Sequence, residues 1–200
     1  MQELQITNKK NPWPKGWGQK TSIMGVINLT PDSFSDGGDF NSSKEVLDQV
    51  NHFLRNGVDI IDIGAQSTRP GAEEVGPKIE IKRLIPYLKI IRSEYPEILI
   101  SIDTFNADVA QEALINGADW INDVSGGRRD KGILDVVSKF NCPYVITHSR
   151  GSSQNMNELS KYDNVLIDVK CSLETLIRNA LEKNISIKNI IVDPGIGFSK

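Results

Sequence analysis

Six short apolar runs in this sequence each break into residues that can do chemistry: at Asn28, at Ser67-Thr68-Arg69, at Asp103, at Asn122, at His148 and at Asp193. Singly, each has an ordinary explanation. Asp103 and Asn122 are favoured helix N-caps. His148 reads as a satisfied strand-end histidine, and Asp193, ahead of Pro194, can close an Asx turn. Together they say more, because independent caps have no reason to converge, whereas the strand ends of one parallel sheet open on one mouth. Carboxylates and carboxamides without a cationic cradle suit a neutral heterocycle rich in N–H donors, since an ionised Asp only accepts hydrogen bonds. Pairing an Asp with adjacent ring N–H and amino groups follows the logic by which base edges are read. Arg69, with Thr68, adds a planar donor fork suited to phosphate, its alternative being a surface arginine on a loop. Asn28 offers a neutral oxygen of the kind that meets Mg²⁺ while the ion keeps most of its waters and bridges substrate phosphates. The residues point to an enzyme acting on a phosphorylated heterocycle. Two polar loops, Thr30–Gly38 and the stretch around Ser67–Pro70, would cover it. Phe34 sits inside the first loop with no strand or helix pattern to bury it.

The elements that must position these residues follow from periodicity. Strands are expected over Ile23–Ile27, Val58–Ile63, Ile98–Ile102, Asp119–Ile121, Pro143–Thr147 and Ile190–Val192. Each is an apolar run bounded by turn residues. Helices are expected between them. The first runs from about Lys44 to Asn56, capped by Ser42-Ser43 and stopped by Gly57; the second ends at Glu94. The others cover Ala107–Asn116, Gly132–Phe140 and Val165–Lys183. Strict alternation predicts right-handed βαβ units and a parallel sheet. No G-x-G-x-x-G follows the first strand, and every strand ends in polar residues. An α/β (β/α)₈ TIM barrel is therefore favoured over a doubly wound sheet, which would hold its ligand at a single switch point. Such barrels take about 250 residues, so this chain supplies about six βα units and two more are expected after Lys200. Residues 1–19, with two prolines, two glycines and two tryptophans, read as an N-terminal arm, and 20–200 as the barrel domain.

Bulk composition removes other classes. The formal net charge is −3 over 200 residues, with both signs mixed along the chain. That argues against a nucleic-acid footprint, which needs a clustered basic face. No run approaches the length of a membrane span. Lys9-Lys10 is followed by Asn-Pro-Trp-Pro rather than an apolar segment, so no secretory signal is read. Cys142 and Cys171 lack metal-ligand spacing and read as reduced thiols of a cytoplasmic protein.

Five segments then carry a resemblance: MGVINLTPDSFSDGG, DIGAQSTRPGA, SIDT, INDVSGG and DPGIGFSK. In this order, from about residue 23 to the end, they resemble the signature segments of the dihydropteroate synthase family of folate biosynthesis. The resemblance implies a (β/α)₈ barrel. The implied reaction joins 6-hydroxymethyl-7,8-dihydropterin diphosphate to p-aminobenzoate, giving 7,8-dihydropteroate and pyrophosphate with Mg²⁺. It implies that Asp103, Asn122 and Asp193 hold the pterin, that Thr68 and Arg69 meet the diphosphate, and that Asn28 meets the metal. Asp103, Arg69 and Asp36 would be the catalytic residues. The loops bearing Phe34 and Asp36 and bearing Ser67, Thr68 and Pro70 would close over p-aminobenzoate. A homodimer is implied for the full-length protein. Three departures stand out. Gln66 occupies a position where the family commonly shows a carboxylate, and Thr147-His148-Ser149 replaces a histidine flanked by methionines. The family's strand-seven lysine and its strand-eight arginine and histidine have no counterpart within residues 1–200. Two alternatives differ from a synthase: a pterin-binding methyltransferase of the same fold, and a non-catalytic pterin-binding fragment.

Overall fold

Isoleucine dominates two of the strands, whose faces are both covered. In β2 (Ile60–Gly64, IIDIG) all five residues are buried, and in β3 (Leu99–Asp103, LISID) four of five are. These strands belong to a computed structural model that describes residues 11–29, 40–66, 74–151 and 154–200, with the backbone alone for 40–42. The remaining strands are β1 (Met24–Asn28), β4 (Trp120–Asp123), β5 (Tyr144–Thr147) and β6 (Ile190–Asp193). Between them lie α1 (Phe40–Arg55), α2 (Pro77–Glu94), α3 (Ala107–Ile115), α4 (Gly132–Phe140) and α5 (Val165–Glu182). All neighbouring strands pair in parallel, and their order in the sheet is their order in the chain. A doubly wound sheet would reverse at a switch point. None occurs, and the six units form the arc of a (β/α)₈ barrel.

The strands end one or two residues later than the apolar pattern does. Ladder hydrogen bonds continue for as long as the backbone stays extended, whatever the side chain, so Asn28, Asp103, Asn122 and Asp193 lie on the ladder rather than in the loops. Helix α1 begins at Phe40, so Ser42-Ser43 fall inside it instead of capping it. Serine costs a helix only a few tenths of a kcal/mol relative to alanine. Gly57 and Gly117, with φ of 78° and 100°, end α1 and α3 in the left-handed conformation that favours glycine.

Side-chain alternation divides the sheet. The outer face, including Ile27, Ile61, Ile63, Ile100, Ile102 and Ile146, packs under the helices in one large apolar core. The inner face is apolar only at the amino ends of the strands. There Ile60, Leu99, Trp120 and Val145 form a second cluster with Met24, Ile191 and Trp13. Trp13 and Trp17 lie with ring centroids 5.3 and 5.4 Å from Trp120, and the Trp120 indole N–H donates to the Pro12 carbonyl. The segment around Trp13–Trp17 thus plugs the bottom of the barrel. Beside it, Arg92 of α2 donates to the carbonyls of Gly117, Pro96 and Ile98 and to Asp119 at 2.6 Å. The same Asp119 oxygen accepts the Ile100 N–H.

Candidate active site

At the opposite end the inner face is polar. One rung of the sheet aligns Asn28, Gly64, Asp103 and Asn122 across β1 to β4. Gly64 is the gap in that row. A Cβ there would lie 3.3 Å from Asp103 Oδ2 and 3.6 Å from Asn28 Oδ1. The two oxygens therefore converge over a position that has no side chain to separate them. Two residues deeper on the same face, Asp62 stands beside Val26 and Ser101. Asp62 Oδ2 accepts the Asn122 carboxamide N–H at 3.0 Å, while Asp62 Oδ1 and Ser101 Oγ are buried without a partner among the described residues. An unpaired buried acceptor is expensive, and its presence beside an open mouth suits a ligand that supplies N–H groups.

Charge accumulates here. Asp103 keeps part of its surface open to the mouth, but burial of the remainder, then the charges of Asp62, Glu80 and Asp123, push its pKa well above the ordinary carboxylate value. Burial likewise raises Asp62, against the pull of the neighbouring Ser101 hydroxyl, which closes no well-formed hydrogen bond, and then of the Asn122 hydrogen bond. Glu80, from the first turn of α2, is raised by burial against the pull of the Thr104 hydroxyl and of Asn106, which donates to it at 2.7 Å. Carboxylates crowded this way favour a ligand that brings hydrogen-bond donors or developing positive charge.

The helix-cap explanations fail for two of the candidates. The α3 cap position is Asn106 and the α4 cap position is Lys131, so neither Asp103 nor Asn122 caps the next helix. Asp193 does form the Asx turn, accepting the Gly195 N–H at 2.7 Å. Its second oxygen lies 3.4 Å from Thr147 Oγ1 and its backbone carbonyl accepts the His148 N–H. His148 is separate from the carboxylates. It is buried against Tyr162, with Nδ1 unpartnered among the described residues. Burial, then the charges of Lys200, Arg128 and Arg150, lower its pKa to about 4. It is a neutral imidazole near neutral pH.

Phe34, Asp36, Ser67, Thr68, Arg69 and Pro70 lie outside the described residues, so only the roots of their loops are seen. Leu29 N–H donates to Gly64 at 2.7 Å. Gln66 is buried, and its Oε1 accepts the Val75 N–H at 2.9 Å across the base of the second loop.

Sequence reasoning overlooked Asp62, Gly64 and Asp123. Asp62 hides inside an isoleucine run, although counting by twos from Gly64 puts it on the inner face. Asp123 was passed over beside Asn122. It points the other way and builds the turn after β4, accepting the Ser125 and Gly127 N–H groups and the Tyr144 hydroxyl, each at 2.7 Å. Burial, then the Asp123 charge, raises the Tyr144 pKa well above its usual value.

Known proteins are similar to this chain. A family model described as pterin binding enzyme matches residues 24–200. A folate synthesis bifunctional protein of Arabidopsis thaliana is 49% identical over 92% of this chain and 39% of its own length. A dihydropteroate synthase of Synechocystis sp. is 44% identical over 92% of this chain and 63% of its own. A solved dihydropteroate synthase from Clostridium difficile, determined in the presence of pteroic acid, superposes with a TM-score of 0.84 at 40% identity. It covers 92% of this chain and 67% of that one. The chain thus spans well under half of the bifunctional relative and about two thirds of the shorter ones.

Proposed function

The chain belongs to the pterin binding enzyme family, and on that premise we propose that the protein is a dihydropteroate synthase. The reaction joins 6-hydroxymethyl-7,8-dihydropterin diphosphate to p-aminobenzoate and releases pyrophosphate. The observation that carries this reading is the convergence of Asn28, Asp103 and Asn122 over Gly64, with the unpartnered Asp62 oxygen beneath them. Asp103, Asn122 and Asp193 take the pterin, whose ring N–H and amino groups match acceptors.

Thr68 and Arg69 meet the diphosphate, and Phe34, Asp36, Ser67 and Pro70 belong to the loops that cover p-aminobenzoate. The C–O bond to the diphosphate breaks with its electron pair leaving on oxygen. The p-aminobenzoate nitrogen then bonds to the exposed methylene carbon and gives up a proton. Carboxylates beside the pterin offset the positive charge that develops on it, and Arg69 steadies the departing anion. No protein nucleophile is required.

Among the described residues no group of three or more His, Cys, Asp or Glu forms a metal cage. The single neutral oxygen of Asn28 fits Mg²⁺ that arrives largely coordinated by water and diphosphate. Bound there, Mg²⁺ would neutralise charge on the leaving group. No described helix is long and apolar enough to cross a membrane. We place the protein in the cytoplasm, in keeping with Cys142 and Cys171 standing as thiols, and as a homodimer when full length. The test is pyrophosphate release by the gene product that requires both p-aminobenzoate and Mg²⁺. A preparation that binds the pterin diphosphate but never releases pyrophosphate refutes the assignment.

A further inference from the structure

Glu80 is a buried carboxylate for which the proposed reaction has no direct use. A glutamate in the first turn of a helix ordinarily meets the helix dipole from the solvent side. Glu80, in the first turn of α2, instead turns inward and is only 1% exposed. Its partners belong to the turn between β3 and α3. Asn106 Nδ2 donates to Glu80 Oε2 at 2.7 Å, and the Thr104 hydroxyl faces the same carboxylate. Thr104 Oγ1 accepts the Asn106 backbone N–H at 3.1 Å, which closes the turn on itself. Thr104 directly follows Asp103, and its backbone N–H donates to the Asn122 carbonyl at 3.0 Å. A short path of hydrogen bonds thus runs from α2 through this turn to the ends of β3 and β4, where Asp103 and Asn122 stand side by side.

Asn106 occupies the N-cap position of α3, yet its side chain makes no cap bond there. The Ala107 N–H, at the start of that helix, is satisfied by Asp130 at 2.8 Å. The Asn106 side chain therefore serves Glu80 rather than its own helix. A carboxylate makes a stronger acceptor than a neutral oxygen, and a binding group keeps its direction only when the backbone carrying it is held. We propose that Glu80 is a positioning residue for the pterin: through Asn106 and Thr104 it fixes the ends of β3 and β4, and with them Asp103 and Asn122. The inference rests on the assignment of Asp103 and Asn122 to the pterin. It gives a use to a buried charge whose place an apolar side chain would fill at lower cost.

The test uses the whole gene product with Mg²⁺ present. Calorimetry reads the dissociation constant of the pterin bearing a free hydroxymethyl group, and turnover reads KM for p-aminobenzoate. Glu80→Leu and Asn106→Ala should each weaken the pterin by about tenfold, the scale expected when contact groups shift by a fraction of an ångström. KM for p-aminobenzoate should stay within about twofold, because neither Asp103 nor Asn122 is assigned to it. Glu80→Gln keeps an acceptor for Asn106 and adds a donor that Thr104 Oγ1 can take, so it should remain within about threefold of wild type in both readings. Equal losses in the two readings, unchanged pterin binding in either folded variant, or a Glu80→Gln variant as impaired as Glu80→Leu would each overturn the proposal. A wild-type protein without turnover overturns the proposed function itself, which separates the two failures. Asn106→Ala alters a half-buried residue on a different element, so it reads the same path even if Glu80→Leu does not fold.

Discussion

The amino and carboxyl ends of the strands treat charged groups in opposite ways. At the amino ends every prominent charge is answered. Arg92 donates to three carbonyls and Asp119, and Asp59 accepts both the Ile23 N–H and Lys20. The Ile23 N–H, more than Lys20, holds Asp59 below the ordinary carboxylate value. At the carboxyl ends the polar groups are left wanting. Asp62 Oδ1, Glu80 Oε1, Ser101 Oγ and His148 Nδ1 are buried without partners among the described residues, and three of the four sit near Asp103. One end is built to be finished by the chain itself, the other by what binds. This division matches the general rule that the bottom of such barrels serves stability and the top serves chemistry.

The largest effect that tests the division is at Asp103. Asp103→Asn should lower turnover by about 10²- to 10³-fold, the usual loss when one preorganised electrostatic group is removed. It should also raise stability at pH 7–8. The sign follows from the raised pKa: Asp103 costs the fold nothing below the unfolded-state value, an increasing amount as pH rises from there to the folded-state value, and a constant amount above it. Denaturant unfolding of the variant checks it, and a loss of stability alongside activity would erase the contrast between the ends. Next is Arg92→Ala, which removes the donor from the Gly117, Pro96 and Ile98 carbonyls and from the half-buried Asp119. It should cost about 2–4 kcal/mol of stability while leaving activity per folded molecule unchanged; a selective fall in turnover would contradict the division.

A smaller effect belongs to His148. Its folded pKa of about 4 lies below the unfolded 6.5, so its contribution is complete above 6.5 and lost as pH falls towards 4. Between pH 7 and pH 5 this should remove about 1–2 kcal/mol. The raised carboxylates change stability in the other direction on acidification. Denaturation at the two pH values, wild type against His148→Gln, isolates the histidine; parallel curves would dismiss it. The smallest effect is at Lys20, whose half-exposed pair with Asp59 should be worth under about 0.5 kcal/mol when tested as Lys20→Ala.

Much of this was legible before any coordinates. Short apolar runs located every described strand, because a strand in a sheet covered by helices is mostly apolar. Gly57 and Gly117 marked helix ends, and the boundaries of α4 coincide with the pattern. Asp62 escaped because a run is judged by its majority, and one carboxylate among isoleucines does not interrupt it. The start of α1 escaped because four residues of ordinary polarity carry no period. Contacts such as Arg92 with Asp119, Arg129 with Glu74 and Asn122 with Asp62 join residues 27 to 60 positions apart. No local pattern reports such pairs; they exist only once the sheet order has brought the elements together.

All three tryptophans of the chain, Trp13, Trp17 and Trp120, occupy the plug at the bottom of the barrel. Residues 1–200 therefore carry their indole reporters at one end of the strands. Indole emission will follow the release of the segment around Trp13–Trp17 and the opening of the amino-end cluster, and will be nearly blind to events among Asn28, Asp103 and Asn122. An unfolding curve read by fluorescence and a titration read by calorimetry will thus look at different halves of the same molecule. Any change seen in both is evidence that the two halves communicate.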